Sequence, residues 1–248
     1  QSLYFYNYSK KNTTKINVDE NNISALFCSK EDKLYYGTFN GKICLVEKFR
    51  STILIDLEQK HGPKDWFAIQ KIIKNEKGNL IFGTSKAGVG SVAKDNTVTW
   101  LLGIKQLKQY LYVRDILQMN EQEYWFATES GLFIYNIETK NFINIKKAEN
   151  NPWGISDNAI YNILKDKDGG IWLGTYFGGI NYYHKNNNLI EKFMSKTQGG
   201  NLLGTVVRGI NKDKNGNIWL GTENGGLSKL NPVTGHIENY NIENVGLS

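Results

Sequence analysis

At 248 residues, with 40% hydrophobic and 12% aromatic side chains, the chain is long enough to bury the core of one all-β domain. No run approaches the ~18 consecutive apolar residues of a membrane-spanning helix, which excludes that class of element. The net charge of +6 comes from Lys residues scattered through turns, so nucleic acid, which needs a clustered basic face, is not an expected partner.

In chain order, residues 2–7 (Ser-Leu-Tyr-Phe-Tyr-Asn) come first and match residues 131–136 (Gly-Leu-Phe-Ile-Tyr-Asn), the third strand of a later unit. One phrase then recurs five times. Its ends are Thr38, Thr84, Thr128, Thr175 and Thr222, so successive differences are 46, 44, 47 and 47 residues. A period of this size marks a stack of identical supersecondary units. The fourth unit shows the plan: strands are predicted at 160–165, 170–175, 180–184 and 189–194. Turns rich in Asp, Lys, Gly and Asn separate them. The longest helical candidate, residues 101–111, has no caps, and no helix is expected there.

The first two strands of a unit are apolar on both faces, as Ile160, Ile163, Leu164, Ile171, Trp172 and Leu173 illustrate. Such strands need cover on both sides. Radially packed sheets supply it, and Trp172 has counterparts at Tyr35, Ile81, Trp125 and Trp219 that suit blade-to-blade contact. The predicted fold is therefore all-β, a β-propeller of four-stranded blades. The rival, a linear β-solenoid, usually has shorter coils. Complete blades are expected at 22–60, 66–104, 111–150, 157–197 and 203–243, with 1–17 as the second half of a blade. About five and a half blades in a single domain over 1–248 read as a piece of a larger, seven-bladed propeller. Gln1 fits a processed or trimmed start.

Cys28 and Cys44 fall on the first and third strands of one blade. A strand between them puts them beyond disulfide reach, and both are expected to be buried, unbridged and silent on compartment. Asp166-Lys-Asp-Gly169 resembles the start of a calcium loop but lacks the later bidentate Glu, so a hairpin turn is expected. His61, His184 and His236 are unpaired in spacing. No metal, cofactor or catalytic residue is predicted, although carboxylates paired across blades would escape a sequence reading.

Loop chemistry remains. The second-to-third strand loops and the blade connections share one face, which is aromatic, basic and amide-rich. Aromatic platforms with a few polar groups suit sugars. The candidate binding residues are Trp153, Tyr176, Phe177, Lys86, Glu223 and Asn224. Arg114 and Arg208 share one column of the first strands and could meet an anionic sugar; the competing role is to pair with a neighbour such as Asp115.

The phrase Asp-x-x-Gly-x-Ile-Trp-Leu-Gly-Thr-x-x-Gly-Gly-Leu/Ile resembles the two-component regulator propeller repeat. It is strongest at 159–183 and 206–230, with weaker copies at 23–46, 69–91 and 113–135. The second copy departs most, with Ile81 for Trp, Phe82 for Leu and Ala87-Gly88 for Gly-Gly. The resemblance implies the periplasmic sensor region of a membrane-anchored, often hybrid, two-component histidine kinase. It also implies sensing of oligosaccharides from complex glycans, control of genes for their use, and homodimeric signalling. It supplies no fixed ligand motif, because the repeated residues are structural. On this reading the chain itself is non-catalytic, requires no cofactor and binds an oligosaccharide, acidic sugars included. The alternatives are an assembly or dimerisation propeller of the same sensor, and a propeller enzyme acting on polysaccharide.

Overall fold

The computed structural model describes residues 3–18, 20, 22–61, 67–149, 151, 154–184, 187–194, 201–223 and 225–241. The chain divides into two compact units, residues 1–116 and 117–248. In the first unit, β1 (Leu3–Asn7) and β2 (Asn12–Ile16) form a hairpin. One sheet follows with β3 (Ile23–Cys28), β4 (Leu34–Thr38), β5 (Lys42–Glu47) and β6 (Arg50–Asp56), and another with β7 (Ile69–Lys74), β8 (Leu80–Thr84), β9 (Gly88–Val92) and β10 (Val98–Gly103). The unit division falls inside β11 (Val113–Gln118), whose sheet continues with β12 (Glu123–Thr128), β13 (Gly131–Asn136) and β14 (Phe142–Ile145). The second unit adds β15 (Ile160–Lys165), β16 (Ile171–Thr175), β17 (Ile180–His184) and β18 (Asn187–Phe193). Its last sheet is β19 (Val206–Lys212), β20 (Ile218–Glu223), β21 (Gly226–Leu230) and β22 (Ile237–Tyr240).

Each of these four-stranded sheets is joined in simple sequential order, which is the blade of a β-propeller. Helix is confined, among the described residues, to α1 (Leu57–His61) and α2 (Ile104–Leu107). The latter lies inside the segment 101–111 expected to be non-helical, and it is a single turn between blades. None of the described helices is long and apolar enough to cross a membrane.

The repeated phrase forms because each of its residues has a local task. Asp166 Oδ1 accepts the backbone N–H groups of Asp168 (2.9 Å) and Gly170 (2.8 Å), and Oδ2 accepts the Trp172 indole N–H at 2.9 Å. Asp213 repeats the pattern, taking Asn215 and Asn217 N–H on Oδ1 (2.9 Å each) and the Trp219 indole on Oδ2 (3.0 Å). The resemblance to a calcium loop thus resolves into a hairpin turn whose carboxylate is occupied by protein donors. The side-chain amide of Asn217, then the Trp219 indole, hold the Asp213 carboxyl down to about 2. A folded-state pKa lowered in this way contributes stability above the ordinary carboxylate range and loses it as the pH falls from about 4 towards about 2. Thermal unfolding should therefore show Asp213→Asn less stable than the native chain at neutral pH, with the gap closing over that window. A gap independent of pH would refute the assignment.

The closing Gly-Thr is equally structural. The Thr hydroxyls of four copies donate to the carbonyl at the start of the third strand: Thr84 to Gly88 (2.9 Å), Thr128 to Gly131 (2.6 Å), Thr175 to Gly179 (2.8 Å) and Thr222 to Gly226 (2.9 Å). The Gly before the Thr admits the next blade. A Cβ on Gly37 would lie 2.4 Å from Ile69 Cγ2, and one on Gly83 would lie 2.6 Å from Val113 Cγ1. Forced overpacking of this kind costs about 1–3 kcal/mol. The third copy shows the alternative, where the Ala127 methyl is itself buried within the cluster of Ile155 and Ile160.

Inter-blade packing fills each unit. Tyr35 lies with Ile43, Ile69 and Ile72 in the first. In the second, Trp125 packs with Ile160 and Ile163, and Trp172 with Val207, Ile218 and Leu220. Neither cysteine is in a disulfide, and Cys44 is buried, but Cys28 is exposed, against expectation. It shares a face of β3 with Leu26, which is also exposed, so the strand's period of two carries both outward.

Candidate functional site

In four blades the pairing of first and second strands slips by one residue at the same place. The extra residues are Ser24, Gln70, Tyr161 and Arg208. A β-bulge kinks its strand and re-aims one side chain, and bulges concentrate beside functional sites. In the second unit the bulged residues of neighbouring blades meet: the Arg208 guanidinium lies 5.1 Å from the centroid of the Tyr161 ring.

Two further rings join them. Tyr176, one residue past the Gly-Thr of its blade, stacks on Tyr161 at 5.2 Å with 20° between ring planes, and lies 5.8 Å beneath Arg208. Phe177 meets Tyr176 edge-on at 4.3 Å and is 58% exposed. Asp157 sets this loop, with Oδ2 accepting the Phe177 backbone N–H at 2.8 Å. Glu223 occupies in its blade the position that Tyr176 holds in the preceding one. Its Oε2 accepts from Arg208 Nε (3.1 Å) and Nη2 (2.7 Å). That hydrogen bond is the main reason the guanidinium is held above its already high range. Both side chains remain about half open to solvent, which limits the pair's contribution to stability. The arrangement is an exposed aromatic shelf beside a fixed pair of donor and acceptor.

Of the residues predicted from sequence, Tyr176, Phe177, Arg208 and Glu223 therefore come together. Trp153 and Asn224 lie outside the described residues. Lys86 and Arg114 belong to the first unit. The Lys86 carbonyl accepts the Leu111 N–H at 2.9 Å, and Arg114 sits 4.0 Å over the Tyr112 ring. Asp115, the neighbour considered for Arg114, holds Lys71 at 2.8 Å. Sequence reasoning missed Tyr161 and Asp157. Tyr161 was findable, since it stands in the same repeat column as Arg208.

A cleft of about 220 Å³ in the second unit lies elsewhere, among turns carrying Asp166, Lys212, Asn217 and Val233. Asp166 is already committed to its turn and indole, so the cleft offers less free chemistry than the aromatic shelf. Among the described residues no group of three or more His, Cys, Asp and Glu side chains is placed to hold a metal ion.

Comparison with known proteins shows what two of these blades and the fold resemble. Residues 154–177 and 201–224 match the family model described as two component regulator propeller, and these two segments are repeats of that type. Curated proteins gave no match. Among solved structures, the chain is similar to the extracellular domain of BT3049 from B. thetaiotaomicron, described as a hybrid two component system. Identity is 20% and the TM-score 0.72, over 91% of this chain and 29% of that one. It is also similar to the extracellular domain of BT4673 from the same organism, described as a one component system, at 15% identity and TM-score 0.60 over 97% and 39%. The WD40 beta propeller domain of Doa1 matches at 9% identity and TM-score 0.60, over 90% and 76%. At these identities the likeness establishes the propeller fold. The chain spans 29% and 39% of the two B. thetaiotaomicron structures.

Proposed function

We propose that these blades belong to the periplasmic sensor region of a membrane-anchored two-component histidine kinase, commonly of the hybrid type. In this reading the region binds an oligosaccharide from a complex glycan and controls genes for its use. The observation that carries the reading is the shelf of Tyr161, Tyr176 and exposed Phe177 beside the Arg208–Glu223 pair. Aromatic faces take the C–H faces of a sugar ring, and a few placed polar groups fix its orientation. The extracellular domains of the B. thetaiotaomicron relatives support the compartment. Binding becomes a signal only if the ligand prefers one arrangement of the sensor over another. Isothermal titration of the sensor region against an oligosaccharide panel tests the reading. Saturable binding to one glycan class is expected, and silence across the panel would overturn it.

One observation favours the alternative of an assembly module. Tyr4, Phe5, Tyr6 and Tyr8 of the β1–β2 hairpin are between 46% and 86% exposed, a density of surface aromatics that suits contact with a second copy. Concentration-dependent dimerisation without sugar binding would select it.

A further inference from the structure

We infer that the Tyr161–Tyr176–Arg208 site selects a neutral sugar and disfavours an acidic one. The inference rests on the sugar-binding reading above and names its ligand class. Arg208 is the one cation placed on the aromatic shelf among the described residues, and its charge is already answered. Two of its N–H groups, Nε and Nη2, are spent on a single oxygen, Glu223 Oε2, at 3.1 and 2.7 Å. A second carboxylate, Asp157, holds the shelf in place through the Phe177 N–H at 2.8 Å and the Ala159 N–H at 3.2 Å. The shelf therefore carries one positive charge and two negative ones.

An incoming carboxylate or sulfate must either displace Glu223 or sit beside it. Two like charges about 4 Å apart repel by enough to cost roughly a factor of five or more even in water, and more near a protein surface. A neutral sugar meets no such barrier. Glu223 Oε1 and Arg208 Nη1 make no hydrogen bond with other described residues. Among the described residues the pair thus keeps one acceptor oxygen and one donor arm in hand, and hydroxyl groups of a neutral sugar can use both, one accepting from the guanidinium and one donating to the carboxylate. The ring's C–H face then lies on Tyr176 and Phe177. An acidic sugar, one of the ligand classes expected from sequence, would need Arg208 unpaired, whereas the structure pairs it.

The test is calorimetric titration of the whole sensor region. The neutral probes are cello-, xylo-, manno- and galacto-oligosaccharides. The acidic probes are oligogalacturonides and chondroitin-sulfate oligosaccharides of matched length. The inference expects the best neutral probe to bind at least about tenfold tighter than any acidic one. It also expects Glu223→Gln to weaken the neutral probe and strengthen the acidic ones, narrowing the preference. The wild-type comparison needs no variant, and Glu223 is open enough to solvent for the Gln form to fold, which an unchanged Tm checks. Tighter binding of an acidic probe, lost in Arg208→Met, would overturn the inference while keeping the sugar-sensing reading. Binding of neither class would overturn both.

Discussion

Trp172→Ala should cost the chain about 3–5 kcal/mol, the range for removing a large buried aromatic side chain, and lower the Tm by roughly 10 °C in a domain of this size. Trp172 is only 1% exposed, and its ring packs against Tyr182 at 4.3 Å and Phe193 at 5.9 Å within its own blade. The same cluster holds Val207, Ile218 and Leu220 from the next blade. Removal thus opens a cavity between two sheets. It also strips the Asp166 carboxylate of its indole donor, so the loss exceeds simple transfer of apolar area. Trp172→Phe separates these effects: much of the volume stays while the N–H goes. A net loss of about 2–3 kcal/mol is expected, the value of a charge-assisted hydrogen bond together with a partly filled space. Asp166→Ala combined with Trp172→Phe should fall well short of additive, because both remove one shared contact. Full additivity would mean that the indole and the carboxylate act independently. Chemical or thermal denaturation of Trp172→Ala, Trp172→Phe, Asp166→Ala and the double variant measures these effects.

Phe177→Ala should do the opposite, leaving stability nearly unchanged and weakening sugar binding by about tenfold or more. Phe177 is the exposed member of the shelf, and its backbone is already fixed by Asp157. Truncation removes ligand contact area without opening the core. Tyr176→Ala should weaken binding further, by about 30-fold, which corresponds to about 2 kcal/mol for a central aromatic contact. It also sacrifices the stack on Tyr161 and the face beneath Arg208, so about 0.5–1.5 kcal/mol of stability should go with it. Titration paired with a thermal melt distinguishes the two variants. Equal affinity for wild type and both variants would remove the shelf from the binding site.

The propeller was legible because its repeated residues act over short range. Asp166 builds its own turn and reaches an indole six residues later. Thr175 closes the loop to Gly179, and Gly174 leaves space for Val207 of the next blade, whose Cγ1 would lie 2.9 Å from an added Cβ. Each task leaves a fixed residue type at a fixed offset, so a period of four strands is visible in one dimension. The single turn of α2 was not legible, since one helical turn in a connection has no periodicity to detect. The exposure of Cys28 was missed for a different reason. Its strand reads as apolar on both faces, yet the face bearing Leu26 and Cys28 is open.

The candidate site was half legible. Loop position pointed to Tyr176, Phe177 and Glu223, and the repeat column pointed to Arg208. What the sequence does not encode locally is the bulge, which turns Tyr161 and Arg208 out of the alternating pattern and towards each other. Their contact spans 47 residues of chain (208 − 161), beyond the reach of a local pattern; the sign of the site depends on a second contact, that of Arg208 with Glu223. An Arg read alone invites an anion. Paired to Glu223 across the strand, it becomes one half of a neutral donor–acceptor pair.

The most direct measurement is an NMR titration of the isotope-labelled protein with the tightest-binding oligosaccharide from the panel, followed at backbone amides, aromatic rings and the Arg Nε–Hε groups. The account predicts shift changes centred on Tyr161, Tyr176, Phe177, Arg208 and Glu223, with the Arg208 Nε–Hε signal among the largest. Changes centred instead on the turns around Asp166, Lys212 and Asn217, with the aromatic shelf silent, would contradict it.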